Sequence, residues 1–587
     1  MNLQRALTAA SRVAAFRRPH RGFPTNPGLI GAEIASWAAF SPSLMPRSMV
    51  PTAVVTFTAQ VAGHVVGTAV GYGFRRLDRR LRATSLVRFA PPPRVERNIA
   101  VSWHSSIAAT TIAVWARSIS QQREIGSLVG LDGTSSAKAQ LTGTLAATSA
   151  YLTTQGLTFA ADWVYDNLRM SIRPWLPPGF APVISGVVLG TTVALAVDKL
   201  LIRRIVAKVA RNAHNLNMRL LPGRQQPWEP QRSGSPWSLE PWHALGAQGR
   251  AVVADGPRAR DIAAVTKRDR SEVMEPIRIY AGHVRGRSLA AQTELIIREM
   301  HRTGAFRRDH LVVYTTTGTG WTPEWSLVTV EFLTLGNCAQ IGLQYSDLPS
   351  PYAWLADHDT APLAGRALIN RVYREWQKLP EDNRPKFYVA GESLGAFGGT
   401  SAFFDAEDML SKIDGAVWSG APRFTPMWQE ITKNRDPGSP EIAPTIDGGR
   451  HIRFATRPRE LYESVSGAPL GQWLHPRVVF LQHASDPIVW WDYSLAWRRP
   501  DWLREPLGRD VLPTMRWFPF VTFWQVLIDG LVSTETPGGI GHRYEEEMLP
   551  AWASVLGLPM KEKLKSANGI KFKRIRKWIK RNHAPRF

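Results

Sequence analysis

The chain has 587 residues, of which 44% are hydrophobic and 20% charged; this length predicts two or more domains, and this composition excludes disorder over most of the chain. A single cysteine, Cys338, excludes an internal disulfide framework and any cysteine-based zinc site. The formal net charge of +24 indicates attraction to phosphate groups, either of nucleic acid or of anionic lipid. The sequence shows no nucleic-acid-binding motif, and its basic residues adjoin apolar runs. The pattern therefore favours anionic lipid and excludes nucleic acid as the partner.

Residues 1–220 carry several uncharged stretches long enough to cross a hydrocarbon core of ~30 Å. The stretches are 48–74, 98–116, 139–161 and 174–197, with a fifth, weaker one at 27–46 that contains Glu33. Their small residues suit closely packed membrane helices, so the pattern predicts an α-helical domain with four or five transmembrane helices and a multi-pass location in the cell membrane. The alternative is a soluble helical domain. Basic residues flank both ends of the region, which leaves open the side of the membrane that the rest of the chain faces.

Residues 221–275 show no sustained periodicity and are predicted to be a partly ordered linker. Trp228, Trp237 and Trp242 fit either a lipid headgroup interface or packing on the next domain. The basic tail, residues 561–587, places apolar side chains on one helical face with lysines and arginines around them. This pattern predicts an amphipathic helix on an anionic membrane surface, and a solvated tail is the alternative.

Between residues 276 and 560 short apolar runs alternate with helical patterns, which predicts an α/β domain with a mostly parallel sheet and helices on both faces. The predicted strands are 277–280, 311–315, 338–345, 386–390, 416–419 and 477–482. The predicted helices include 288–300, 363–377 and 396–413.

One motif in this domain points to chemistry. Gly391, Glu392, Ser393, Leu394 and Gly395 form a G-x-S-x-G pattern between a predicted strand and a predicted helix. That context is the one a nucleophile elbow requires, because a sharp turn from strand to helix exposes the serine hydroxyl. The two glycines are expected where neighbouring backbone comes too close for a Cβ atom. A bare motif occurs often by chance, but its context favours Ser393 as a nucleophile.

A serine hydroxyl needs a base, and in this fold the acid and then the histidine follow the serine along the chain. Asp486 ends the turn after the predicted strand 477–482 and is the candidate acid, with a loop cap before Pro487 as the alternative. Of the two histidines that follow, His542 lies in a glycine-rich loop and is the candidate base, whereas His583 lies in the basic tail. A surface-loop role is the alternative for His542.

The oxyanion hole is predicted to use the backbone N–H of Leu394 and a second N–H from the loop formed by Gly318, Thr319 and Gly320. A phosphate-binding loop is the alternative there, but the required lysine pattern is missing. Residues 487–541 are rich in tryptophan and phenylalanine, and we expect them to line an apolar acyl pocket, contact a bilayer interface or pack as a small extra core. The predicted chemistry uses no metal and no organic cofactor.

The sequence resembles a bacterial, actinobacterial-type family of α/β-hydrolases that have an N-terminal multi-span membrane region, and the likeness covers most of the chain. The segments that carry it are residues 41–47, 391–395, 482–491, 516–519 and 541–544. The resemblance implies a triad of Ser393, Asp486 and His542 by their match at those positions, and it implies no particular substrate.

These patterns predict a membrane-anchored serine hydrolase that cleaves a lipid-like ester or thioester through an acyl-enzyme. Two alternatives stay open. One is a non-catalytic membrane scaffold or binding protein that retains the fold, since fold alone does not fix function. The other is an acyltransferase that excludes water from the acyl-enzyme.

Overall fold

The computed structural model describes residues 27–83, 93–175, 223–348, 358–561 and 564–582, with isolated positions between 180 and 219. Within these residues the α-helices are α1 (Pro27–Ala39), α2 (Met49–Ala83), α3 (Pro93–Leu128), α4 (Ala137–Ile172), α5 (Ala247–Ala254), α6 (Ala259–Thr266), α7 (Leu289–Thr303), α8 (Glu324–Leu333), α9 (Thr360–Gln377), α10 (Leu394–Thr400), α11 (Ala406–Lys412), α12 (Pro426–Lys433), α13 (Pro487–Trp490), α14 (Val521–Asp529), α15 (Met548–Val555) and α16 (Phe572–Asn582). The strands are β1 (Ile277–Ala281), β2 (His310–Thr315), β3 (Cys338–Leu343), β4 (Lys386–Glu392), β5 (Gly415–Ser419), β6 (Ile452–Ala455), β7 (Arg477–Leu481), β8 (Met560–Lys561), β9 (Ser566–Ala567) and β10 (Ile570–Lys571).

The chain divides into two compact units. The first, here called the helical unit, comprises the described residues within 1–166, 493–499 and 511–531. Small residues let α1 and α2 pack closely: a Cβ atom on Gly31 would lie 2.1 Å from the carbonyl oxygen of Gly63. Close helix packing through small residues therefore occurs where the composition predicted it.

The prediction of four or five membrane spans is not supported. Of the helices in the described residues, only Met49–Phe74 within α2 is long and apolar enough to cross a membrane. The stretches 98–116 and 139–161 do lie inside α3 and α4, but their serine, threonine and other polar residues lower their hydropathy. The stretch 174–197 lies mostly outside the described residues.

Part of the aromatic segment belongs to the helical unit. Val521 of α14 packs with Ala39 and with Val55 and Ala59 of α2. The buried carboxylate of Asp529, at the end of α14, accepts hydrogen bonds from the backbone N–H of Leu44 at 2.9 Å and of Met45 at 3.2 Å, and also from the Ser43 hydroxyl. A segment from late in the chain thus completes the fold of the N-terminal helices.

The second unit, here called the sheet unit, comprises the described residues within 167–492, 500–510 and 532–587. Its main sheet has seven strands in the order β1-β3-β2-β4-β5-β7-β6, and every neighbouring pair is parallel. Successive side chains of the central strands are buried on both faces, as Val312 and Val313 are. Helices α6, α8, α15 and α16 share a core with one face, which contains Val312, Tyr388 and Val479. The predicted α/β domain with a parallel sheet covered on both faces is confirmed.

One predicted helix of this unit was wrong in extent. Residues 396–413 form two short helices, α10 and α11, rather than one. The break follows the pair Gly398 and Gly399, and α11 starts afresh because the Asp405 side chain accepts a hydrogen bond from the N–H of Asp408.

Of the predicted linker, residues 221–275, the described residues 223–275 are instead an ordered part of the sheet unit. It forms α5 and α6, and Arg232 forms an isolated parallel bridge with Arg278 of β1. Trp242 packs against the cluster formed by Leu245, Val253 and Tyr280, whereas Trp228 and Trp237 are exposed. The segment therefore extends the sheet unit.

The basic tail also belongs to the sheet unit. Helix α16 has the predicted apolar and basic faces, but Phe572, Ile575 and Ile579 are buried in the core of this unit. Its Trp578 ring contacts Phe332 of α8 edge to face at 5.4 Å. The protein itself occupies the apolar face, which corrects the prediction that this face lies in a membrane surface.

Candidate active site

The backbone of Ser393 has the strained conformation that a nucleophile elbow predicts. Ser393 connects β4 to α10 with φ of 58° and ψ of −123°, a region that non-glycine residues rarely adopt. Its N–H donates to the carbonyl oxygen of Ser419, the last residue of the neighbouring strand β5, at 2.9 Å. The sheet thus holds the turn that presents the serine.

Glycines are required around this turn because backbone atoms approach closely. A Cβ atom on Gly395 would lie 2.3 Å from the carbonyl oxygen of Thr315, and one on Gly391 would lie 2.6 Å from the carbonyl carbon of Gly395. The Thr315 hydroxyl, at the end of β2, donates to the carbonyl oxygen of Gly395 at 2.6 Å. The Glu392 carboxylate is buried and accepts from the Ser419 hydroxyl at 3.1 Å. The elbow is therefore fastened to the strands on both sides of β4.

Asp486 follows β7 and is completely buried. Its Oδ1 accepts from the N–H groups of Ile488 and Val489 at 2.9 and 3.4 Å, so it does cap the short helix α13. Its Oδ2 lies 2.7 Å from Nδ1 of His542 and accepts from the hydroxyl of Tyr544 at 2.7 Å. The cap and the contact with histidine, which were alternatives in the sequence, coexist because each carboxylate oxygen serves one of them.

The contact with Asp486 determines the tautomer of His542. A carboxylate only accepts hydrogen bonds, so Nδ1 carries the proton and Nε2 is the basic nitrogen. The ring lies against Gly420, where a Cβ atom would come within 2.5 Å of its Cε1. Gly420 directly follows Ser419, whose carbonyl oxygen binds the N–H of Ser393. The structure thus brings Asp486 and His542 into contact, with the His542 ring against Gly420 after β5. Ser393 and Asp486 follow β4 and β7, the two strands that flank β5 in the parallel sheet.

Sequence reasoning missed two buried neighbours of this group, Tyr544 and His483. Burial, followed by the Asp486 carboxylate, raises the pKa of Tyr544 well above its ordinary value, so its hydroxyl stays a donor to Asp486. The His483 ring stacks on the Tyr544 ring at 4.3 Å between centroids. Their only signal in the sequence was their position in the segments 482–491 and 541–544, which carried the family resemblance.

The loop after β2 forms a tight turn. The N–H of Gly320 donates to the carbonyl oxygen of Thr317 at 2.9 Å, and its own carbonyl oxygen accepts from the Tyr280 hydroxyl at 2.5 Å. Because its amide is engaged within the turn, Gly320 shapes the loop and is not an oxyanion donor in this conformation, which corrects that prediction. Leu394, Gly318 and Thr319 stay predictions for that role.

The aromatic residues between Asp486 and His542 divide between different environments. Trp490 and Trp502 are buried in the sheet unit, with ring centroids 5.4 Å apart, so the extra-core alternative holds for them. Trp491 contacts Phe424 edge to face at 6.3 Å. Trp497, in the helical unit, is 69% exposed. Among the residues that the structure describes, no group of three or more His, Cys, Asp or Glu side chains could hold a metal ion.

A parallel sheet with a strained serine elbow after a central strand, and with an acid and a histidine following in that order, defines the α/β-hydrolase class. Comparison with protein families agrees. Residues 277–567 match the model of an alpha/beta-hydrolase family, and residues 40–257 match the model of an alpha/beta-hydrolase family N-terminus. The chain therefore belongs to this α/β-hydrolase family. Searches of curated proteins and of solved structures gave no significant match.

Proposed function

We propose that this protein is a serine hydrolase that cleaves an ester or thioester with an apolar acyl group. The observation that carries the proposal is the 2.7 Å contact between Asp486 and His542, beside a strained Ser393 elbow. A buried acid that fixes the tautomer of a histidine serves a base that must accept a proton at Nε2. A scaffold would have no need for this arrangement next to a strained serine.

The proposed reaction has two acyl transfers. Nε2 of His542 accepts the proton of the Ser393 hydroxyl as Oγ attacks the carbonyl carbon of the substrate. The N–H of Leu394 and an N–H from the loop after β2 stabilise the oxyanion. His542 then protonates the leaving alcohol or thiol, and an acyl-enzyme remains on Ser393. Water, deprotonated by His542, attacks the acyl-enzyme and releases the acid.

Aromatic side chains support an apolar acyl group. Phe397, Phe424 and Trp491 form a continuous edge-to-face series with centroid distances of 5.4 and 6.3 Å. Phe397 lies one helical turn after Ser393, and Trp491 lies five residues after Asp486. Side chains of this kind suit contact with a hydrocarbon chain rather than with a charged acyl group.

We further propose that the protein is attached to the cell membrane. The three long helices α2, α3 and α4 expose large apolar side chains, which soluble proteins rarely do over so wide an area. Examples on the three helices are Val65, Val66, Val101, Ile112, Leu152 and Leu157. The segment Met49–Phe74 is a candidate span. Exposed lysines of α16, such as Lys573 and Lys577, would add electrostatic attraction to anionic lipid.

Turnover of p-nitrophenyl esters by the full-length protein in detergent tests the proposed activity. Wild type should hydrolyse them, and Ser393→Ala and His542→Ala should each lose at least about 10³-fold in kcat/KM. Matched controls are Ser411→Ala and His301→Ala, which remove an exposed serine of α11 and an exposed histidine of α7 and should stay near the wild-type rate. Absence of turnover in folded wild type, together with no reaction with a thioester, would instead support a non-catalytic role.

A further inference from the structure

A second histidine, His483, lies buried beside the candidate active site with an acceptor at each ring nitrogen. Its Nδ1 donates to the carbonyl oxygen of Gly541 at 2.8 Å, and its Nε2 lies 3.0 Å from Oε1 of Glu547. That carboxylate oxygen is buried, and the His483 ring is its ion-pair partner among the described residues. A neutral imidazole has one N–H, so only the doubly protonated ring can donate to both acceptors.

The surroundings of His483 favour its charged form. Burial alone would lower its pKa, but the contact with Glu547 and the hydrogen bond to Gly541 raise the pKa to about 9. Asp510, which accepts from the N–H of Ser485, adds a further negative charge nearby. The phenol of Tyr544 stays neutral in this range because its own pKa is raised.

His483 contacts the residues on both sides of the proposed base. Gly541 directly precedes His542. Tyr544 follows two residues later, stacks on the His483 ring at an interplanar angle of 10° and donates to Asp486. The backbone N–H of His483 also donates to the Tyr544 hydroxyl at 3.2 Å.

We propose that His483 and Glu547 are a pair of positioning residues, which hold the loop 541–544 so that His542 keeps its alignment with Asp486 and Ser393. The proposal rests on the serine hydrolase function proposed above. When His483 loses its second proton, a nitrogen lone pair must face either the Gly541 carbonyl or the Glu547 carboxylate. Both are acceptors, so the contact becomes repulsive and the loop loosens.

Glu547→Gln should keep the loop in place although it removes the carboxylate. A carboxamide donates an N–H to Nε2 of a neutral His483 while Nδ1 still donates to Gly541. The loop should then stay in place without any charge on the ring. Glu547→Ala leaves Nε2 without a partner, and His483→Phe keeps the stacking on Tyr544 but removes both donors.

The test measures the second-order rate constant for fluorophosphonate labelling of the full-length protein in detergent, from pH 6.5 to 10. The labelling of Ser393→Ala is subtracted at each pH.

Wild type should show an alkaline decline in the labelling rate centred near pH 9. Glu547→Gln should label within a few-fold of wild type at pH 7.5 and show no such decline. His483→Phe and Glu547→Ala should label at least about tenfold more slowly, because displacement of a catalytic group by about 1 Å has effects of this size or larger. Glu463→Gln, which changes a surface carboxylate, should keep the wild-type profile.

Circular dichroism at each pH shows whether the protein is folded. A decline in Glu547→Gln identical to that of wild type would overturn the proposal, and so would wild-type labelling by folded His483→Phe. An alkaline decline that coincides with unfolding would also overturn it. If folded wild type labels no faster than Ser393→Ala, the hydrolase proposal itself fails, which the other outcomes do not imply.

Discussion

Replacing Asp486 by asparagine tests the tautomer argument with almost no change in shape. Oδ1 of Asp486 accepts from two backbone N–H groups, so the carbonyl oxygen of the new amide must take that side. Its NH2 group then faces Nδ1 of His542 and the Tyr544 hydroxyl. A donor at that position makes Nδ1 an acceptor and moves the ring proton to Nε2. His542 can then no longer accept the proton of Ser393.

The expected loss in labelling or ester turnover is about 10⁴-fold. At 1.36 kcal/mol per factor of ten this is about 5 kcal/mol of barrier. The assay is the fluorophosphonate labelling rate of full-length Asp486→Asn beside wild type at pH 7.5. Asp447→Asn, which changes an exposed carboxylate, is the matched control and should react at the wild-type rate. Labelling of folded Asp486→Asn within tenfold of wild type would refute the reasoning, because the acid would then not set the tautomer.

Three further predictions concern stability, each measured by thermal or denaturant unfolding of the full-length protein. Gly395→Ala should lower the free energy of unfolding by about 2–3 kcal/mol, because the new Cβ atom would meet backbone atoms. The control Gly471→Ala, whose Cβ atom would have its nearest contact at 3.4 Å, should change it by less than about 0.5 kcal/mol. Equal effects of the two substitutions would contradict the close packing of the elbow. Ile575→Ala should lower the free energy of unfolding by about 2–5 kcal/mol and Lys577→Ala by less than about 0.5 kcal/mol, since only Ile575 is buried. An unchanged stability of Ile575→Ala would mean that α16 does not pack on the core. Because the pKa of His483 is raised to about 9 by folding, its stabilisation should be complete below about pH 6.5 and lost as the pH rises through 9, by up to about 3 kcal/mol; a flat profile in this window would argue against the ion pair.

Local patterns were enough to predict the sheet and its elbow. The central strands are buried on both faces and therefore appear as short, continuous apolar runs. Strand β4 ends at a G-x-S-x-G motif, and its glycines are required because a Cβ atom on either would lie 2.3 to 2.6 Å from backbone atoms. Asp486 was selected as the candidate acid because it follows a late predicted strand. Order along the chain then left only His542 and His583 as candidate bases.

Long-range packing was not available from the sequence. The apolar face of α16 has the same periodicity whether it meets a bilayer or, as here, the core around Phe332. The segment around Val521 packs with helices that precede it by more than 450 residues, which no local pattern reveals. The contact between His483 and Glu547 could likewise not be predicted, because the two residues are 64 positions apart in the sequence.

The most direct test of the central claim is to map the fluorophosphonate adduct by peptide mass spectrometry. Folded wild type should carry one adduct, on the peptide that contains Ser393. The adduct should be absent from Ser393→Ala and strongly reduced in His542→Ala. An adduct on another residue, or none on folded wild type, would contradict the assignment of Ser393 as an activated nucleophile.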